Sequence, residues 1–340
     1  MKPFPLSLDR PMNVRFLVAI VFIFLTGALS GFFMYSFVKE SPIANIENSS
    51  KQIRQMSQYT YINPLLECEV AEGVIDARKE NFHDEVEVFI DTLKKEKKIS
   101  EVAFYFRDLN DGPTFGVDQE GQFFPASLLK VPVMMVYYHL AERDRAVLMK
   151  EITFDIEVDL GLTPTILPRE SLQVGTKYKV SELIERMIKY SDNQALFLLS
   201  SRLPISELQE LFAMLGVDSK VLQDADAKLT VKEYAGFFRI LFNSSYLSRE
   251  FSEKSLALLT STDYNDALPA GVPAGTAVAH KFGEAGTGDI ERQLHDCGIV
   301  YFPSHPYLAC IMTRGQDTKV LKESIVEISK FIYEKIDEQY

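Results

Sequence analysis

The chain has 340 residues, 46% of them hydrophobic and 25% charged, and a formal net charge of −12. This is the composition of a folded globular protein, and it excludes disordered, collagen-like and low-complexity readings. An acidic chain has no footprint for a nucleic-acid backbone, and three cysteines without a CxxC pair or a histidine at ligand spacing support neither a zinc site nor a redox dithiol.

The first element in chain order is apolar. Phe16 to Val38 runs 23 residues without a charge, about 35 Å as a helix, which spans a bilayer with some tilt. Lys2, Arg10 and Arg15 precede it against Asp9 alone, so residues 1–15 are expected in the cytoplasm and the remainder outside. Small residues at Ala28 to Ser30 leave cleavage of a signal peptide, and so secretion, as the alternative. A retained anchor over 16–38 is preferred because the apolar run continues through Phe32, Phe33 and Phe37. Residues 39–60 are polar and read as a stalk, leaving 61–340 as the exported domain.

Within that domain Phe82, Val86, Phe89 and Leu93 form the stripe of an amphipathic helix. EVAFYFRDL, a turn signal at Asn110 to Gly112 and PTFGVDQE then read as a β-hairpin. From Ala126 to about Leu259 the pattern is mostly helical. Strand signals return as AVAHKF, CGIVYF and YLACIMT, the last two joined across Pro303 to Pro306. A final helix carries Leu321, Ile325, Ile328 and Ile332 on one face. Strands at both ends with helices between them predict one antiparallel sheet assembled from distant segments, an inserted helical subdomain, and an active site in the seam.

Three short elements carry chemistry. Ser127 and Lys130 stand at i and i+3 where a helix opens, which places a hydroxyl and an amine on one face. Free backbone N–H groups at such a helix start can help stabilise an oxyanion. The pair alone is cheap, since Ser36 and Lys39 match the same pattern. Ser191-Asp192-Asn193 follows LIERMIKY and precedes ALFLLS, where an ordinary interhelical turn or helix cap would also place these residue types. Lys281-Phe282-Gly283 lies on a predicted strand that could simply end near a glycine. Their order, on a helix start, a turn and a late strand, is hard to attribute to chance.

With those motifs, and with FFPASLLKVPVMMVYYHLAERD and LHDCGIVYFPSHPYLACIMTRG, the chain from about residue 60 resembles the penicillin-recognising serine enzymes of the class A β-lactamase-like branch. The resemblance implies an α+β fold, a five-stranded antiparallel sheet flanked by helices beside an all-helical subdomain, with no cofactor and no metal. It implies Ser127 as the nucleophile that becomes an acyl-enzyme and Lys130 as its partner base. Ser191 becomes the proton relay to the leaving nitrogen, Asn193 a partner of the substrate's side-chain amide, and Lys281 a nearby cation. The oxyanion hole would combine the backbone N–H groups of Ser127 and Glu284, with Gly283 completing the substrate-contacting strand. A lysine titrates near 10.4 in water, so Lys130 can serve as a base only if burial or a cation such as Lys281 lowers its pKa.

Two departures bear on activity. The family's loop glutamate, which positions the water for hydrolysis of the acyl-enzyme, has no counterpart between Asn193 and Thr230; Asp224, Asp226 and Glu233 are the nearby carboxylates, expected on solvated loop or helix faces. Phe282 replaces a hydroxyl residue that binds the substrate carboxylate, so carboxylate recognition is expected to be weakened or rerouted, with Arg292 as a replacement cation. The expected function is therefore a membrane-anchored extracytoplasmic serine hydrolase or acyltransferase acting on a lactam or a cell-wall peptide amide, with an antibiotic-hydrolysing β-lactamase as a subordinate option. A non-catalytic ligand-binding ectodomain on the same scaffold is the competing reading. With a turn at Pro303 to Pro306, Cys297 and Cys310 are expected on one sheet face but diagonal, too far apart for a disulfide. A bridge from Cys68 to either, or buried thiols, then remains open. His280 is expected to pack on its strand rather than line the cleft.

Overall fold

The computed structural model describes residues 59–64, 77–97, 99–110, 114–159, 166–167, 169–224, 226–286 and 291–340. The predicted anchor, the stalk up to residue 58, Cys68 and the turn residues 111–113 lie outside them. No helix among the described residues is long and apolar enough to cross a membrane. The chain forms α1 (Ala77–Lys97), β1 (Glu101–Asp108), β2 (Thr114–Val117), β3 (Gln122–Phe123), a 3-10 turn (Ala126–Leu129) and α2 (Lys130–Arg143). After β4 (Glu151–Thr153) and β5 (Lys177–Lys179) come α3 (Val180–Lys189), α4 (Asn193–Ser200), α5 (Ile205–Met214), β6 (Leu229–Thr230), α6 (Val231–Phe242) and α7 (Arg249–Leu259). The last elements are β7 (Val278–Ala285), β8 (Arg292–Val300), β9 (Tyr307–Gly315) and α8 (Thr318–Asp337).

Five strands make one antiparallel sheet in the order β2-β1-β9-β8-β7, so the first and last strands of the domain meet in one layer as the sequence predicts. One sheet face is covered by Phe82, Val86, Ile90 and Leu93 of α1 and by Leu321, Ile325, Ile328 and Ile332 of α8. The other carries Ala103, Ala279, Ile299, Leu308 and Met312 against α2 and α6. Helix α2 is apolar on nearly every side because it is buried on nearly every side: Val131, Met134, Met135 and Val136 are all inaccessible, and it packs against α3, α4, α5 and α7. The middle stretch is less purely helical than its pattern predicts, since β3 pairs with β6 and β4 with β5 in two short ladders.

Cys297 and Cys310 form a disulfide, against expectation. Strand pairing ends at Val300↔Tyr307, so the connection is the six residues 301–306 rather than a tight turn at the prolines. That longer connection shifts the register by two and sets Cys297 directly opposite Cys310, with Cα atoms 4.0 Å apart.

Strand β8 also anchors the turn that precedes α2. The Gln293 side-chain oxygen accepts the Phe124 N–H at 3.0 Å, and the His295 ring lies 3.1 Å from the Phe124 carbonyl through Nε2. The Thr313 N–H can only donate, and it meets His295 Nδ1 at 3.3 Å, so the proton sits on Nε2 and points at Phe124. From α6, the buried Tyr234 hydroxyl donates to the Leu128 carbonyl at 3.0 Å. Residues 124–128 are thus gripped from both sides.

Burial holds the His295 imidazole neutral, pushing its pKa from 6.5 down to about 4. Because the folded value lies below the unfolded one, its contribution to stability is complete above pH 6.5 and is lost as the pH falls from 6.5 towards 4. At full extent it is worth about 3 kcal/mol. His295→Gln keeps a donor for Phe124 and an acceptor for Thr313 but does not titrate. Urea denaturation at pH 7.5 and pH 4.5 should therefore give a smaller stability loss on acidification for the variant than for the wild type; equal losses would contradict a neutral buried His295.

Candidate active site

Five sequence-predicted residues meet in the seam between sheet and helical lobe. Ser127 stands on the 3-10 turn, and Lys130 is the first residue of α2, one turn on. Ser191 and Asn193 come from the corner between α3 and α4, a turn fixed by Asp192, whose carboxylate caps α4 by accepting the N–H groups of Gln194 (2.8 Å) and Ala195 (3.1 Å). Lys281 comes from edge strand β7. Ala126 and Ser191 both hold positive φ, at 46° and 54°, an uncommon conformation for residues with a Cβ that tends to gather at functional sites. Gly283 lets β7 approach the turn, since a Cβ there would lie 3.0 Å from Leu128 Cγ and 3.1 Å from the Pro125 carbonyl oxygen.

The Lys130 amine is inaccessible to solvent and touches four oxygens: Ser127 Oγ at 2.8 Å, the Ser191 carbonyl at 2.7 Å, Ser191 Oγ at 2.9 Å and Asn193 Oδ1 at 2.7 Å. The carbonyl and the amide oxygen can only accept. They take two N–H bonds of a neutral amine and leave its lone pair for a serine hydroxyl. Burial first, and then the charge of Lys281, push Lys130 well below its ordinary value of 10.5, against the opposing pull of Asp192. Lys281 is equally buried and is pushed down to about 7 by burial, with Asp296 pulling the other way. Its amine donates to Ser191 Oγ at 3.0 Å and to the Phe282 carbonyl at 2.9 Å. The Ser191 hydroxyl therefore bridges the two amines.

The other sequence-marked residues fall as follows. Phe282 is 4% exposed, its ring centroid 3.8 Å from Lys281 Nζ and 4.2 Å from that of Tyr264. Glu284 lies three residues beyond Lys281 on β7, and its carboxylate accepts the Ile166 N–H at 3.4 Å. Arg292 lines a cleft of about 660 Å³ whose walls include Tyr264, Asp266 and Lys322 but none of Ser127, Lys130, Ser191 or Lys281. His280 is buried, hydrogen-bonded to Asp296 at 2.8 Å, and packs on its strand as expected. Asp224 and Asp226 are exposed, and Glu233 closes a capping box with Thr230; none of the three hydrogen-bonds Ser127 or Lys130. A trio with metal-ligand spacing, His83, Asp84 and Glu87, stands on an exposed turn of α1, outside this seam.

Sequence reasoning missed the supports. Gln293, His295 and Tyr234 hold the nucleophile turn, and Gln194 pairs its side-chain amide with both backbone groups of Val158 at 3.2 and 2.7 Å. Gln293 and His295 stand at alternate positions of β8, so both fall on one strand face.

This arrangement can be set beside known proteins. A search of curated proteins finds no match. Among solved structures, PBP-A is similar at 23% identity with a TM-score of 0.63 over 75% of this chain and 96% of that one. A point mutant of PBP-A, solved as an acyl-enzyme complex with penicillin-G, matches at 22% identity and 0.62 over 75% and 97%. A β-lactamase from Chitinophaga pinensis matches at 18% identity and 0.64 over 74% and 99%. These likenesses establish the β-lactamase/transpeptidase-like fold. The model of the beta-lactamase enzyme family matches residues 85–336, and the chain belongs to that family.

Proposed function

We propose that this protein is a membrane-anchored, extracytoplasmic serine hydrolase that opens an amide or lactam through an acyl-Ser127 intermediate, with a cell-wall peptide as its natural substrate. The observation that carries this reading is the unbroken chain from Ser127 Oγ through Lys130 Nζ and Ser191 Oγ to Lys281 Nζ, each link between 2.8 and 3.0 Å. In the reaction Lys130, neutral, takes the Ser127 proton as Oγ bonds to the carbonyl carbon. The carbonyl oxygen becomes an oxyanion facing the backbone N–H groups of Ser127 and Glu284. As the carbon–nitrogen bond breaks, Ser191 gives its proton to the leaving nitrogen and takes the one held by Lys130, so protons and charge balance.

Turnover of the acyl-enzyme needs a water, and none of Asp224, Asp226 and Glu233 hydrogen-bonds Ser127 or Lys130. Slow release follows, which favours a peptidase or transferase over an antibiotic-hydrolysing β-lactamase. The acyl-enzyme solved for the PBP-A mutant supports the covalent route. The uncharged run 16–38 supports the anchor, and the Cys297–Cys310 disulfide supports an oxidising compartment for the domain. Protease added to right-side-out membrane vesicles should digest the domain, whereas inside-out vesicles should protect it; the reverse pattern would refute the orientation.

Intact mass after incubation with penicillin-G should reveal a persistent adduct that is absent in Ser127→Ala. Lys130→Ala should slow its formation at least 10²-fold, the loss expected of a general base. Lys281→Met removes the cation that helps to keep Lys130 neutral. Its acidic limb of acylation rate against pH should therefore move to higher pH. A limb that stays in place would remove Lys281 from the control of Lys130.

A further inference from the structure

The leaving nitrogen must come within hydrogen-bond reach of Ser191 Oγ to receive its proton, and that oxygen lies 3.0 Å from Lys281 Nζ. Whatever substituent the nitrogen carries is therefore delivered beside Lys281. An ammonium has three N–H donors. Here one meets Ser191 Oγ, one meets the Phe282 carbonyl at 2.9 Å, and the amine lies over the Phe282 ring, 3.8 Å from its centroid. The residue has no exposed surface, and Phe282 is fixed by its contact with Tyr264 at 4.2 Å. Lys130 is already surrounded by four oxygens. Both buried amines are thus already engaged by groups of the protein, which leaves an incoming anion little to bind.

A carboxylate brought to this place would give up its water beside an aromatic ring that offers it no hydrogen bond. An uncharged amide or ester loses far less solvation and can pack on the Phe282 and Tyr264 rings. On the acyl side, Lys130 occupies Asn193 Oδ1, which leaves the Asn193 amide nitrogen to donate to a substrate carbonyl.

Resting on the acyl-Ser127 reading, we propose that the site takes substrates with no carboxylate beside the leaving nitrogen, such as an internal peptide amide, and that Phe282 sets this preference. It separates an endopeptidase-like site from one that trims a free peptide C-terminus.

Penicillin-G and its methyl ester are the same lactam with and without that carboxylate. Their acylation rates, measured by intact mass on the full chain, give an acid-to-ester ratio whose change between variants cancels the intrinsic reactivity of the two compounds. Phe282→Ser uncovers the lysine and adds a hydroxyl, so its ratio should rise at least tenfold over the wild type. Phe282→Leu keeps an apolar cover and should leave the ratio within about twofold. An unchanged ratio in Phe282→Ser, with adducts forming on Ser127, would overturn the preference while the acyl-enzyme reading stands. Folded protein that gives no adduct with either lactam, in wild type and both variants, would overturn the acyl-enzyme reading and this inference together.

Discussion

Two buried lysines share one hydroxyl, and the geometry of the seam depends on holding them there. Their amines lie 2.9 and 3.0 Å from Ser191 Oγ, so they are no more than 5.9 Å apart. At an effective dielectric of about 20, two charges at that separation repel by about 3 kcal/mol, before the several kcal/mol of lost hydration for each ion. No single segment could be expected to hold such a pair by local preference. The seam is instead assembled from three elements that are stable for other reasons: a helix buried on nearly every side, an interhelical corner capped by Asp192, and the edge of a five-stranded sheet. Positive φ at Ala126 and Ser191 shows where the backbone accommodates the arrangement.

Rigidity at the nucleophile comes from the sheet. Gln293 and His295 point from β8 at the peptide of Phe124, while Cys297, two residues on, is locked to Cys310 and stands opposite Lys281 in the register. One strand thus supports both ends of the hydrogen-bonded chain, the turn carrying Ser127 and the strand carrying Lys281. The opposite face of the same strand carries Asp296, whose carboxylate accepts the Leu268 N–H and pairs with His280. Catalytic geometry and sheet packing are therefore not separable here.

Much of this was legible in the sequence, for identifiable reasons. Ser127, Lys130, Ser191, Asn193 and Lys281 sit in patterns whose order survives wide divergence, and the hairpin, the terminal helices and the late strands follow from hydrophobic period. The β8–β9 register was not legible, because Pro303 and Pro306 suggest a tight turn while pairing actually stops at Val300, and two residues of shift decide whether Cys297 meets Cys310. The place of the Phe282 ring was also hidden. Strand alternation puts neighbouring side chains on opposite faces, yet at this edge the Lys281 amine reaches the ring of the next residue. The tethers from Gln293, His295 and Tyr234 depend on tertiary contacts that periodicity does not encode.

The repulsion between the lysines also gives the proton a direction. Lys281, pushed down to about 7, and Lys130, pushed well below its ordinary value by burial and by its neighbour, cannot comfortably both be charged near neutral pH. In the proposed reaction Lys130, on taking the proton of Ser127, becomes the second cation in a buried seam, held by acceptors that a neutral amine already satisfied. The energy that makes it a base is returned as a drive to lose that proton, and Ser191 is the hydroxyl placed against both amines to carry it onward. In that proposed reaction burial serves both halves of the transfer: it readies Lys130 to accept and then makes keeping the proton costly, which would couple acylation to protonation of the leaving nitrogen rather than to a stalled ammonium.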